Sequence, residues 1–134
     1  MTITKIYIVC LIVISVIISS CKKPAGEGGN SSIKGKVWVK DYSKTFVLQH
    51  EYDGVDVEVY IIYGDDVTAG DKVNTNANGE FEFKYLRKGN YKIYAISEER
   101  IGTSFDVMDA AVSVDAVISK NKSSIDVGTI TINR

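Results

Sequence analysis

The chain predicts an all-β fold, a single sandwich of seven or eight short strands with Greek-key connections, occupying residues 33–134 behind an apolar N-terminal segment. Three observations carry that expectation. Beyond residue 32, apolar side chains recur with a period of two and nowhere sustain a helical period. Turn-forming residues separate the alternating runs at short intervals, and the single proline, Pro24, lies outside them. Hydrophobic residues make up 45 % of the sequence and charged residues 25 %, an ordinary globular mixture, and roughly a hundred residues suffice for one domain.

The N-terminal segment comes first in chain order. Residues 6–18 read IYIVCLIVISVII and follow a short stretch that carries Lys5. A run of about 13 residues makes a helix of roughly 20 Å, short of the ~20 residues that cross a bilayer, so residues 1–20 read as an export signal rather than a permanent span. The run ends in Ile18-Ser19-Ser20-Cys21, an aliphatic residue and two small ones before a cysteine. This resembles the lipobox of bacterial lipoproteins. The resemblance implies cleavage before Cys21, diacylglycerol on its thiol and usually acylation of the new amine. Two or three acyl chains are enough for stable membrane attachment. Cys10 has no small residues before it and reads as apolar filler. Lys22 does not match the aspartate that retains enteric lipoproteins in the inner membrane, so the expected location is the cell envelope, at the outer membrane of a Gram-negative bacterium. Residues 21–32, rich in Gly and Ser, read as a flexible tether with an end-to-end distance of roughly 20 Å.

Strands are expected at 33–40, 45–50, 55–63, 72–76, 80–85, 90–97, 110–118 and 125–133. Between them fall Tyr52-Asp53-Gly54, Gly64-Asp65-Asp66, Asn78-Gly79, Lys88-Gly89-Asn90 and Lys120-Asn121-Lys122. Asn78-Gly79 is the pair a tight hairpin favours, because both central positions of such a turn take φ > 0. Alternation assigns the faces. Val37 and Val39, then Val55, Val57, Val59 and Ile61, then Phe81 and Phe83, then Tyr91, Ile93 and Ala95 form the inward set. Each large apolar side chain so buried contributes ~1.5 to 3 kcal/mol.

The order of these segments is also similar to a known family. Ile33-Lys34-Gly35-Lys36-Val37 opens the domain, Asp53-Gly54-Val55-Asp56-Val57-Glu58-Val59 follows, and Thr75-Asn76-Ala77-Asn78-Gly79-Glu80-Phe81-Glu82-Phe83 precedes Leu86-Arg87-Lys88-Gly89-Asn90-Tyr91-Lys92-Ile93-Tyr94-Ala95. Together with a closing Ile125-Asp126-Val127-Gly128-Thr129-Ile130, this resembles the carboxypeptidase regulatory-like domain. The resemblance implies a prealbumin-like (transthyretin-like) sandwich, close in plan to the B-repeats of Gram-positive surface adhesins. Its motifs are structural and name no activity.

Function classes narrow by composition. Sixteen basic residues against 17 acidic ones give a net charge of −1, which offers no field for nucleic acid. Both cysteines lie at or before residue 21, so the predicted domain has neither a disulfide nor a thiolate for catalysis or zinc. His50, beside Glu51, is the one histidine and has no nucleophile in a recognisable motif, so no catalytic residue and no enzymatic activity are expected. Asn74, Asn76 and Asn78 place side-chain oxygens at positions one, three and five before Gly79, as in a calcium loop. Position twelve is Tyr85, where such a loop needs a bidentate acid, and the run reads as a turn. Asp65, Asp66 and Asp71 read as a surface loop. No metal and no cofactor are expected.

What remains is an apolar set on the outward phase: Trp38, Tyr60, Ile62, Tyr94 and Ile96. Either the tether or the 42–53 segment covers it, or a protein or glycan docks there. Cover is the preferred expectation, since aromatic residues are common on ordinary sheet surfaces. The function expected is a non-enzymatic, membrane-tethered module for interaction or structural support. Its alternatives are a glycan- or peptide-binding module and an accessory subunit of an outer-membrane transport or adhesion complex.

Overall fold

Every second residue of β1 (Glu27–Tyr42) from Ile33 onward turns inward, giving the buried Ile33, Val37 and Val39. Gly35 shares that phase, and the Phe81 ring fills the space where its side chain would be; a Cβ there would lie 2.7 Å from Phe81 Cζ. The structure, a computed structural model, describes residues 23–103 and 105–134; the expected leader at 1–20 and Cys21 lie outside the described residues. The described residues form seven further strands: β2 (Leu48–Asp53), β3 (Glu58–Tyr63), β4 (Asp71–Asn74), β5 (Glu80–Leu86), β6 (Gly89–Arg100), β7 (Val107–Ile118) and β8 (Ser124–Asn133).

Two four-stranded sheets result. β1 is the spine of the first: one edge pairs antiparallel with β5 along its early half and with β2 along its late half, and the other edge pairs parallel with β8. The second sheet is antiparallel, in the order β4-β3-β6-β7. Between the sheets lie Val57, Val59 and Ile61, Phe81, Phe83 and Leu86, Tyr91, Ile93 and Ala95, then Ala116, Ile118, Ile130 and Ile132. The all-β sandwich expected from alternation is the fold observed.

Four expectations are corrected. The presumed tether is largely strand: Glu27 and Ser31 pair with Leu86, and Ser32 pairs with Ser124. Gly29 makes this possible, because a Cβ there would sit 2.0 Å from the Leu86 carbonyl oxygen. The domain therefore begins before Ile33. Second, Val55 is not core but 56 % exposed. Gly54 N–H donates to the Val37 carbonyl and Asp56 adopts φ 56°, so a turn occupies residues expected to open a strand. Third, Asn78-Gly79 closes no hairpin between paired strands. β4 belongs to the second sheet and β5 to the first, and the turn is a corner between them with φ > 0 at Gly79 (73°) but not at Asn78. Fourth, the 42–53 segment covers no outward patch, because β2 is hydrogen-bonded along the edge of β1.

Candidate functional site

The expected outward set divides between the two sheets. Trp38 lies on the outer face of the first sheet, between Asp53 and Thr131, with Lys36 Nζ 5.8 Å from its ring centroid. Its surroundings are a solvated charged lattice that includes Lys36–Asp53 at 2.6 Å and Lys40–Glu51 at 3.4 Å, pairs of small individual worth. Tyr60, Ile62, Tyr94 and Ile96 share the outer face of the second sheet. Tyr60 and Tyr94 are direct cross-strand partners whose rings stack at 5.0 Å with 11° between planes. The four are half-buried, and Trp38 is not among their neighbours on the sheet.

Charged groups frame the tyrosine pair. The Glu58 carboxylate accepts hydrogen bonds from the Lys72 ammonium and the Tyr60 hydroxyl, and both contacts hold its pKa below the ordinary value. The same contact with Glu58 raises the pKa of Lys72 and, together with desolvation, that of Tyr60. Lys72 also stands over the Tyr60 ring, 6.0 Å from its centroid. Much of the polar capacity here is spent within the face.

A second surface lies where β1 and β8 end and β6 turns into β7. Tyr42, Phe46, Phe105 and Val107 line a cavity of about 290 Å³, with Glu99, Arg100 and Asn133 among its polar walls. The β1–β2 loop builds one wall. Phe46 N–H donates to the Ser43 carbonyl, closing a turn, and Ser43 N–H donates to the Val47 carbonyl. Phe46 then takes φ 58°, a conformation that suits glycine, and its ring lies beneath the Arg100 guanidinium at 4.6 Å. The opposite wall is anchored by the fully buried Ser97, which donates to Glu99 Oε1 (2.8 Å) and accepts from Asn133 N–H (2.8 Å). Asn133 Nδ2 donates to the same Glu99 oxygen.

Large apolar side chains are exposed at this end: Val47, Leu48, Ile101, Val107, Met108 and, at 70 %, Phe105. None of the six belongs to the outward set that alternation picks out. Their signal was nonetheless present, since Ile101, Phe105, Val107 and Met108 interrupt a stretch with Gly102, Thr103 and Asp106 that polar residues would otherwise fill.

The remaining sequence candidates resolve locally. Asn76 Oδ1 accepts from Asn78 N–H and Glu80 N–H, and Asn74 Nδ2 donates to Asp56, so these amides build the corner itself. His50 is exposed on β2, opposite Asp41. Among the described residues, no group of three or more His, Cys, Asp or Glu is arranged to hold a metal ion.

Fold and surfaces together define a β-sandwich with an apolar-rimmed cavity at one end and a stacked tyrosine pair on one face. No protein-family profile matches the chain, and no curated protein matches its sequence. Among solved structures it is similar to a proposed carbohydrate-binding protein from Pseudomonas aeruginosa, at 14 % identity and a TM-score of 0.47, over 82 % of this chain and 92 % of that one.

Proposed function

We propose that the chain is a non-enzymatic interaction module of the bacterial cell envelope, attached to the membrane through lipid on Cys21, which engages a protein partner at the cavity end of the sandwich. The observation that carries the partner surface is the set of exposed Val47, Leu48, Ile101, Phe105, Val107 and Met108 around that end. Exposed apolar side chains gathered in one region mark contact surfaces, because leaving them in water forgoes the favourable burial each would give. Five of the six, all but Phe105, offer a sugar neither a hydrogen-bond donor nor a flat ring, but they suit an apolar protein side chain. A cavity of about 290 Å³ accepts one such large anchor. Lipid attachment is supported by Ile18-Ser19-Ser20-Cys21, and partners of this kind include the larger envelope complex of which the chain would be an accessory subunit.

The test is a photo-cross-linking residue at position 105 in the full chain in its native envelope. An adduct with one defined protein, lost when Val107 and Met108 are both changed to Ser, supports the proposal. No adduct at 105 but a defined adduct at position 94 would move the partner to the second sheet. A glycan- or peptide-binding role is the second reading, and the stacked Tyr60–Tyr94 pair favours it, since flat aromatic faces suit sugar rings. Saturable binding on a glycan array, abolished by Tyr94→Ala, would establish it instead.

A further inference from the structure

We propose that the domain stands end-on at the membrane, with the end that holds its N-terminus against anionic lipid headgroups and its cavity directed away from them; this rests on lipid attachment at Cys21, proposed above. The lipid-bearing residue lies two positions before Lys23, and the chain is fixed almost at once. The Pro24 carbonyl accepts from Arg87 Nε at 2.7 Å. Ala25 sits against Gly89, where an added Cβ would come within 2.6 Å of its own. Gly26 N–H donates to the Tyr91 hydroxyl at 3.0 Å, and the Gly26 carbonyl accepts from Arg87 N–H at 2.9 Å. Between Cys21 and Pro24 there is an extended reach of only about 10 Å, so the acylated residue cannot lie far from this end of the sandwich.

Charge at that end matches the surface it would meet. The turn between β5 and β6 carries Arg87 and Lys88, the turn between β7 and β8 carries Lys120 and Lys122, and Lys23 directly precedes Pro24, whose carbonyl Arg87 holds. Ser31 Oγ donates to the Lys120 carbonyl and Lys122 N–H donates to Asn30 Oδ1, which fixes the second turn next to the start of β1. Glu27, Asp65, Asp66 and Asp71 are the acids of this end, one fewer than its five bases, and the excess suits an anionic leaflet. From Ser31, which like Glu27 pairs with Leu86, β1 runs 11 residues, roughly 36 Å as a strand, to Tyr42 in the cavity wall. A partner would meet the cavity well outside the headgroup layer.

The test uses the mature lipidated protein in vesicles of phosphatidylcholine and phosphatidylglycerol that contain an acceptor-labelled lipid. A single donor fluorophore is placed through Asn121→Cys or Thr45→Cys; lipid blocks the native thiol. Energy transfer should be several-fold stronger from position 121 than from position 45. A long flexible Gly-Ser insertion after Lys23 should erase the difference in vesicles of phosphatidylcholine alone. Reversing Lys88, Lys120 and Lys122 to Glu should lower transfer from position 121 in the mixed vesicles. Equal transfer from both positions, on protein whose mass shows the lipid, would overturn end-on placement and leave the anchor standing. Unchanged transfer on charge reversal would overturn the headgroup contact. A mature chain without lipid on Cys21 would overturn the anchor, and the placement with it.

Discussion

Phe46 is the residue at which structure and function pull apart most clearly. A non-glycine residue in the left-handed region costs roughly 1–2 kcal/mol, and the loop that holds Phe46 at φ 58° would accept glycine there without that cost. What the phenyl ring supplies is a wall of the cavity beneath Arg100. Phe46→Gly is therefore expected to change unfolding stability by no more than about 1 kcal/mol, strain relief offsetting lost packing, while the adduct formed from position 105 is lost. Denaturant unfolding beside the cross-link assay checks both; a loss near 3 kcal/mol would make Phe46 a structural anchor instead. Tyr63 gives a second prediction. Burial, with the charges of Glu27 and Asp71, pushes its phenol up to about 12, from 10.0. Below pH 10 both folded and unfolded chains keep the proton, so the contribution is complete. Between pH 10 and 12 the unfolded chain ionises first, and stability falls. Urea midpoints across that range should fall more steeply in the wild type than in Tyr63→Phe, and parallel curves would contradict the shift. At this scale the sequence was legible wherever period two continued unbroken, as at Val37, Phe83 and Ile93. Val55 was illegible, because a single Asp56 at positive φ broke the phase without any glycine at that position.

β1 shows how much of an element can hide in a glycine-rich stretch. Gly28, Gly29 and Ser31 carry no apolar alternation, so the segment read as a tether; yet Glu27–Tyr42 is one strand because small residues let its backbone pass close to β5. Gly29→Val would drive a side chain into the Leu86 carbonyl. Its expected effect is release of residues 23–32 with the rest of the sandwich intact, seen as new protease cuts in that stretch and a core that still unfolds cooperatively. An unchanged cutting pattern would contradict the pairing. Gly35 and Gly128 are clearer in hindsight. The β1–β8 register shifts between Lys34 and Lys36, and Gly128 adopts φ 76° beside the shift, so one residue of β1 faces two of β8. That bulge explains why Ile125 and Val127 turn inward on odd positions while Ile130 and Ile132 do so on even ones. Gly35 belongs to the first of the five segments in which the sequence resembles the carboxypeptidase regulatory-like pattern, and its role here is room for Phe81.

At the scale of the whole molecule, alternation specified which side chains point inward but not which strands are neighbours. Trp38 and Tyr94 share the outward phase of their strands and lie on opposite faces of the sandwich, because pairing that joins β1 to β2, β5 and β8 leaves β3 and β6 to the other sheet. Nor could a local pattern announce the cavity, which draws Tyr42, Phe46, Phe105 and Asn133 from widely separated parts of the chain. The proposed function places the partner at this end rather than on the tyrosine face. Fluorine NMR of the chain carrying fluorophenylalanine and fluorotyrosine reports both places at once, since Phe46 and Phe105 belong to one and Tyr60 and Tyr94 to the other. On titration with the cross-linked partner in purified form, the Phe46 and Phe105 resonances should shift while those of Tyr60 and Tyr94 hold still. Movement of the two tyrosines with both phenylalanines unperturbed would contradict the claim.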